Sequence, residues 1–258
     1  MLPVARQAGS VTAVGVIGRI EHREAMELTA VENQRFLDLL RTLGPQDWSR
    51  PTDCSRWDVR AVVAHVVGSA CAQASVREFV HQLRTGLPLT RQIDGRHWVD
   101  GVNEAQLLDR RSMSPAELVA GYETASRRAL RARRRLPAPV RALRVLPIGP
   151  PFGWMPLGWL YDMGFTRDLW IHRVDIAQAV EKPLVVTPDH EGRILADMVA
   201  EWSSLHNDPF TLHLTGLAGG TYTRGDGGDV QLIDAVEWCR VVSGRAPGSG
   251  VLLHPLPL

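Results

Sequence analysis

The apolar residues of this chain change their period once, near His206. Upstream they recur every three to four positions; downstream, Thr211-Leu-His-Leu-Thr215 alternates. A period near 3.6 lines one face of a helix and a period of two lines one face of a strand. The chain therefore divides into a long helical part and a short part containing strands. Helices are predicted over 24–43, 58–84, 98–110, 114–136, 156–180 and 188–205. Leu28, Val31, Phe36, Leu39, Leu40 and Leu43 form the apolar face of the first, and Gly44-Pro45 ends it. The second carries Val59, Val62, Val63, Val66 and Val67, with His65 among them, and Gly86 and Pro88 stop it. Ser114-Pro115-Ala116-Glu117 combines a serine cap, a proline in the first turn and a glutamate three residues after the cap. Five prolines over 137–153 predict a long loop, and Gly158 and Gly164 weaken the helix at 156–180 locally.

Past His206, glycines separate short strands at 211–215, 221–224 and 230–232, read as antiparallel. A helix at 233–243 follows, and the tail 246–258 has no clear element. The predicted organisation is an N-terminal extension over 1–25, a helical domain over 26–182 and a small α+β domain over 183–258.

Composition excludes several functions. With 258 residues, 45% of them hydrophobic, the chain is too apolar for disorder, and its net charge of +1 does not suit a strongly electrostatic binder of nucleic acid or membrane. The dense basic run Arg127, Arg128, Arg131, Arg133, Arg134 and Arg135 has no interleaved aromatics and reads as a solvated helix face. No apolar stretch approaches the roughly 18 residues of a membrane span. Arginines and glycines interrupt residues 1–20, so no signal-peptide core is present. The three cysteines, Cys54, Cys71 and Cys239, form neither a CxxC motif nor a disulfide framework, which points to a reducing cytoplasm. Lys182 is the sole lysine beside 28 arginines, a bias that a GC-rich genome explains. Neither a Gly-rich phosphate loop nor a GxSxG elbow is present.

Three polar groups stand out. Asp168 and His172 are four residues apart and so share one helix face. Such a pair is usually a surface contact, and His65 by itself reads as a core histidine. Two antiparallel helices of a bundle would nevertheless turn all three into one interior, where helical metal sites are built. Three protein ligands with an open fourth position is the catalytic zinc arrangement.

The stretch Trp48…Pro51-Thr52…Cys54…Trp57-Asp58-Val59-Arg60…Val63-Ala64-His65 resembles the N-terminal signature of the mycothiol-dependent maleylpyruvate isomerase family, within the DinB-like group of four-helix bundles. Asp168-Leu-Trp-Ile-His172-Arg173-Val174-Asp175-Ile176 resembles its second signature. Val99-Asp100-Gly101-Val102-Asn103-Glu104 and the C-terminal run from Asp234 to Arg245 are similar too, so that the likeness covers about residues 26–246.

The resemblance implies a mostly α fold, a DinB-like bundle followed by a small α+β domain. It implies His65, Asp168 and His172 as ligands of Zn2+ or another divalent metal, and mycothiol as the thiol cofactor. Asp175, three residues beyond His172 on the same helix, reads as a polar helix contact or as a residue that orients a ligand. The implied reaction is attack of a metal-favoured thiolate on a small-molecule electrophile, by an isomerase of the maleylpyruvate type or a thiol S-transferase. The family pattern has Glu where this chain has Asp168. Arg245 is the first candidate for a substrate clamp, with Arg240 and Arg224 as rivals. A non-catalytic metal- or thiol-binding protein on the same bundle is the alternative, and nucleic-acid binding a distant third. Mycothiol is made by actinobacteria, whose genomes are commonly GC-rich, so the arginine bias accords with mycothiol rather than glutathione.

Overall fold

The computed structural model describes residues 11–93, 97–149 and 152–256. It divides into one unit at Glu21–Leu184 and a second that joins the described residues from Val185 onward to those before Glu21.

The helical unit contains α1 (His22–Arg41), α2 (Val59–Ala74), α3 (Val76–Gln92), α4 (Trp98–Arg110), α5 (Pro115–Arg134), the single turn α6 (Ala138–Arg141) and α7 (Phe165–Ala179). α1, α2, α5 and α7 make a four-helix bundle: α2 packs on α5 and α7, and α1 on the same two. Its core gathers Phe36, Leu40, Val59, Val62, Val63, Leu118, Tyr122, Leu169 and Ile176, with Phe36 and Tyr122 tilted at 4.9 Å. α3 and α4 pair with each other and lie against α2.

The sequence expects one helix over 58–84 where the structure has two. Ser75 is extended, and its hydroxyl accepts the Glu78 N–H, ending α2 and capping α3. The signal is local, a serine followed three residues later by glutamate. α3 then runs past Gly86 and Pro88 to Gln92, because Gly86 lies in close backbone contact with Gly101 of α4 and tertiary pairing overrides propensity. The expected loop at 137–153 contains α6 and an antiparallel pair, β2 (Arg144–Gly149) with β3 (Gly153–Pro156).

A wide π-type turn at Trp159–Gly164 leads into α7. Arg133, expected on a solvated face, is 3% exposed and braces this turn. Its guanidinium donates to the carbonyls of Tyr161 and Asp162 and to the hydroxyls of Thr29 and Thr166. An arginine run therefore does not stay on one face, since α5 turns one member of it inward.

The second unit is a four-stranded sheet of order β1-β5-β4-β6 with two helices. β1 is Val11–Ala13, α8 Arg193–His206, β4 Phe210–Thr215, β5 Gly220–Arg224, β6 Asp229–Asp234 and α9 Ala235–Val242. β4 and β5 are antiparallel, as the sequence suggests, but β4 pairs in parallel with β6, and β1 in parallel with β5. The sequence treats residues 1–25 as a loose extension. Residues 1–10 of it lie outside the described residues, whereas Val11–Ala13 is an edge strand and α1 begins at His22. Three residues carry no readable alternation, and their partner lies some two hundred residues away. The tail is also tied down: Trp202 Nε1 donates to the His254 carbonyl, and Leu256 N–H to Val242. Among the described residues, no helix is long and apolar enough to cross a membrane.

Candidate metal centre

Asp58 caps α2 by accepting the Ala61 N–H at 2.8 Å. Two turns on, His65 points into the bundle with a side chain only 6% exposed. α7 supplies Asp168 and His172 one turn apart, and the structure brings all three together. One ligand atom from each lies within 4.8 Å of the other two. His65 Nε2 is 3.4 Å from Asp168 Oδ2, and His172 Nε2 is 3.5 Å from Asp168 Oδ1, so each carboxylate oxygen faces a different ring. The two rings meet edge to face at 5.0 Å.

These distances are informative. A histidine held directly on a carboxylate closes to about 2.7–2.9 Å. Ligand atoms around a tetrahedral zinc at 2.0–2.1 Å stand about 3.3–3.4 Å apart. The donor set, two imidazoles and one carboxylate, suits the same ion. Elsewhere, His81–Asp109 and His22–Asp162 close to 2.9 and 2.7 Å as ordinary pairs.

The other nitrogen of each ring is anchored. His65 Nδ1 donates to Gln106 Oε1 at 2.7 Å, Gln106 Nε2 donates to Gln82 Oε1 at 2.8 Å, and Gln82 Nε2 donates to the Gly68 carbonyl at 2.9 Å. Gly68 makes this possible, because a Cβ there would lie 2.6 Å from Gln106 Cβ and Cγ. His172 Nδ1 donates to Asp175 Oδ2 at 2.9 Å. Nδ1–H bonds of this kind fix the tautomer in which Nε2 is the ligand atom. Trp57 lies against both rings, 5.0 Å from His65 and 6.0 Å from His172.

Without a metal, Asp168 and His172 hold charge. Burial pushes the Asp168 carboxyl up, but the His172 charge and hydrogen bonds from both histidines outweigh it and hold it far below its usual range. Burial pushes His172 down, but the Asp168 charge and the bonds of Asp168 and Asp175 outweigh it and hold the imidazolium well above its usual value. Asp168 also lines a small cavity of about 20 Å³, walled by Ser69, Gln73, Ser126, Arg133 and Phe165 among others.

Arg245 belongs to the second unit, where its N–H donates to the Arg240 carbonyl at 2.8 Å and its Nη1 contacts the Ser243 carbonyl. That unit has its own cluster, His206, Asp208 and His254, but it is hydrogen-bonded rather than ready for an ion. The Asp208 N–H occupies His206 Nδ1, His206 Nε2 is buried, and His254 Nε2 closes to 2.9 Å on Asp208. Sequence reasoning missed Gln106 and Gln82, which carry no local signal. It noted Trp57 only as part of a motif, and Cys54 as part of that motif and as a loop thiol near the second helix.

The helical unit is a four-helix bundle with this cluster inside, as expected for a DinB-like fold. The family described as mycothiol maleylpyruvate isomerase N-terminal domain matches residues 29–177, and the chain belongs to that family. A crystal structure of the mycothiol-dependent maleylpyruvate isomerase is similar in fold, at 18% identity and a TM-score of 0.58, over 93% of this chain and 94% of that one. A point mutant of that isomerase is similar at 18% identity and a TM-score of 0.57, over 91% and 92%. No curated protein matches the chain.

Proposed function

We propose that His65, Asp168 and His172 hold a divalent metal, zinc by their chemistry, and that the chain is an enzyme using mycothiol as its thiol cofactor. On this reading it acts on a small electrophile, as an isomerase of the maleylpyruvate type or as a thiol S-transferase. The observation that carries the reading is the convergence of two imidazoles and one carboxylate, one ligand atom from each lying within 4.8 Å of the other two. Bound there, zinc supplies positive charge that favours thiolate over thiol near neutral pH.

The chain's own residues do the rest. Gln106 and Asp175 hold the Nδ1–H groups of His65 and His172 and so aim both Nε2 atoms at one point. Asp168 offers one oxygen toward each ring. Trp57 covers the ring faces. The helical unit is proposed as the metal-binding domain. Arg245 is proposed as a clamp for an anionic substrate group on the family resemblance alone. Loss of turnover in Arg245→Ala with zinc content unchanged is its test.

The decisive experiment is zinc content in the purified chain and in His65→Ala and His172→Ala, with turnover of mycothiol and a panel of electrophiles. About one zinc per chain, lost in both variants along with thiol chemistry, is expected. Zinc stoichiometry unchanged in both would overturn the reading.

A further inference from the structure

Residues 50–59, between α1 and α2, form a compact turn closed by its own hydrogen bonds. Val59 N–H donates to the Arg50 carbonyl at 3.0 Å, Thr52 N–H to the Trp57 carbonyl at 3.2 Å and Trp57 N–H to the Cys54 carbonyl at 2.7 Å. Thr52 Oγ1 adds a bond to the same Trp57 carbonyl, and Pro51 bridges to Asp58. The turn presents two side chains to the metal centre. Trp57 meets the ring faces, and Cys54 reaches α7, where its Sγ donates to Asp175 Oδ2 at 3.4 Å. That oxygen is the one that accepts His172 Nδ1–H at 2.9 Å. The Asp175 side chain is fully buried, so the direction of its carboxylate is set by the donors that surround it.

We propose that Cys54 is a positioning residue for the metal centre: its thiol fixes Asp175 Oδ2, and through it the orientation of His172. This rests on the metal-centre reading above and adds a residue to it. Cys54, His172 and Asp175 have their ligand atoms within 4.8 Å of one another, yet their separations are those of hydrogen bonds. The 2.9 Å N···O distance is a charge-assisted bond, shorter than the edge of a tetrahedral site. Cys54 therefore stands behind the ligand, on the Nδ1 side, while Nε2 faces Asp168. A thiol is a weak donor. It steers the carboxylate and leaves most of its basicity to His172. Partners behind a metal-bound histidine typically change metal affinity by about 10–100-fold when removed. Asp58 caps α2 just after this turn, so one short segment sets the start of the helix carrying His65 and the support of His172.

The test uses the full chain as wild type, Cys54→Ala and Cys54→Ser. Zinc affinity is measured by competition with a chelating dye, and thermal denaturation of the metal-free proteins is followed alongside. Cys54→Ala is expected to bind zinc about tenfold or more weakly, and Cys54→Ser, which keeps a donor, to recover most of that loss. Equal or tighter zinc binding by Cys54→Ala overturns the proposal. So does a loss that Cys54→Ser shares in full, which marks packing rather than the donor. Cobalt(II) loading of the wild type adds an independent arm. An intense thiolate-to-cobalt band in the near ultraviolet would put Cys54 on the metal and overturn its place behind His172; its absence supports the proposal. If the wild type itself binds no zinc, the metal-centre reading fails and this one with it, a result distinct from zinc bound equally by wild type and Cys54→Ala.

Discussion

Replacing Gln106 by leucine separates the metal centre from the packing around it. The side chain is 4% exposed and sits between His65 Nδ1 and Gln82 Oε1. Leucine keeps nearly the same volume, so the cavity cost is small. Two buried polar groups then lose a partner, the His65 N–H and the Gln82 carbonyl. Each such orphan costs about 1–3 kcal/mol, which puts the loss for the metal-free chain at about 2–6 kcal/mol. A second effect falls on the metal. With its acceptor gone, the His65 ring is free to turn or to change tautomer, and zinc affinity is expected to drop about 10–100-fold. Tenfold corresponds to about 1.4 kcal/mol, so the stabilisation gained from saturating zinc shrinks by that amount or more. Urea unfolding with and without zinc, together with dye competition, measures both effects. Lower stability with unchanged zinc affinity would show that Gln106 supports the fold without orienting His65 and would refute the orienting chain.

Three further tests follow from the same structure. Gly68→Ala places a Cβ 2.6 Å from Gln106 Cβ and Cγ, so it is expected to push α4 off α2 and weaken zinc binding in the direction of Gln106→Leu, measured by the same competition. Ser114→Ala removes the cap of α5, where Ser114 and Glu117 satisfy each other's backbone, and is expected to cost about 1 kcal/mol in urea unfolding with zinc affinity unchanged. In the metal-free chain, His172 is raised above its usual 6.5, so its stabilisation is complete below that pH and is lost as pH climbs through the raised value. Asp168 is lowered from 3.8, so its share is present above that pH and is lost as pH falls. Metal-free thermal stability should therefore decline on the alkaline side, and His172→Gln should flatten that decline. Zinc affinity should run the other way, rising with pH, because the proton on Nε2 must leave before a metal binds. Zinc affinity independent of pH would contradict this picture of the trio.

How much was legible in the sequence depended on the range of the interaction. The bundle helices follow from apolar spacing, and the Ser114 cap stands in the sequence as it does in the structure. The convergence of His65 with Asp168 and His172 needed the antiparallel packing of α2 and α7, which spacing permits without requiring. Family resemblance picked these residues out, and the geometry brings them together. The anchors behind them were illegible: Gln106 lies 41 residues from His65, on a helix whose approach depends on a missing Cβ at Gly68. The strand Val11–Ala13 was missed because its partner Thr221–Thr223 is remote, and the inward turn of Arg133 because the carbonyls it satisfies belong to a π-type turn that no local pattern marks.

The central claim is that His65, Asp168 and His172 bind one ion. The most direct measurement is an anomalous difference map, collected at the zinc edge, from crystals of the zinc-loaded chain. One peak is expected about 2.0–2.2 Å from His65 Nε2, His172 Nε2 and an Asp168 oxygen. A zinc-loaded crystal with its peak elsewhere, or with these three side chains empty, would contradict it.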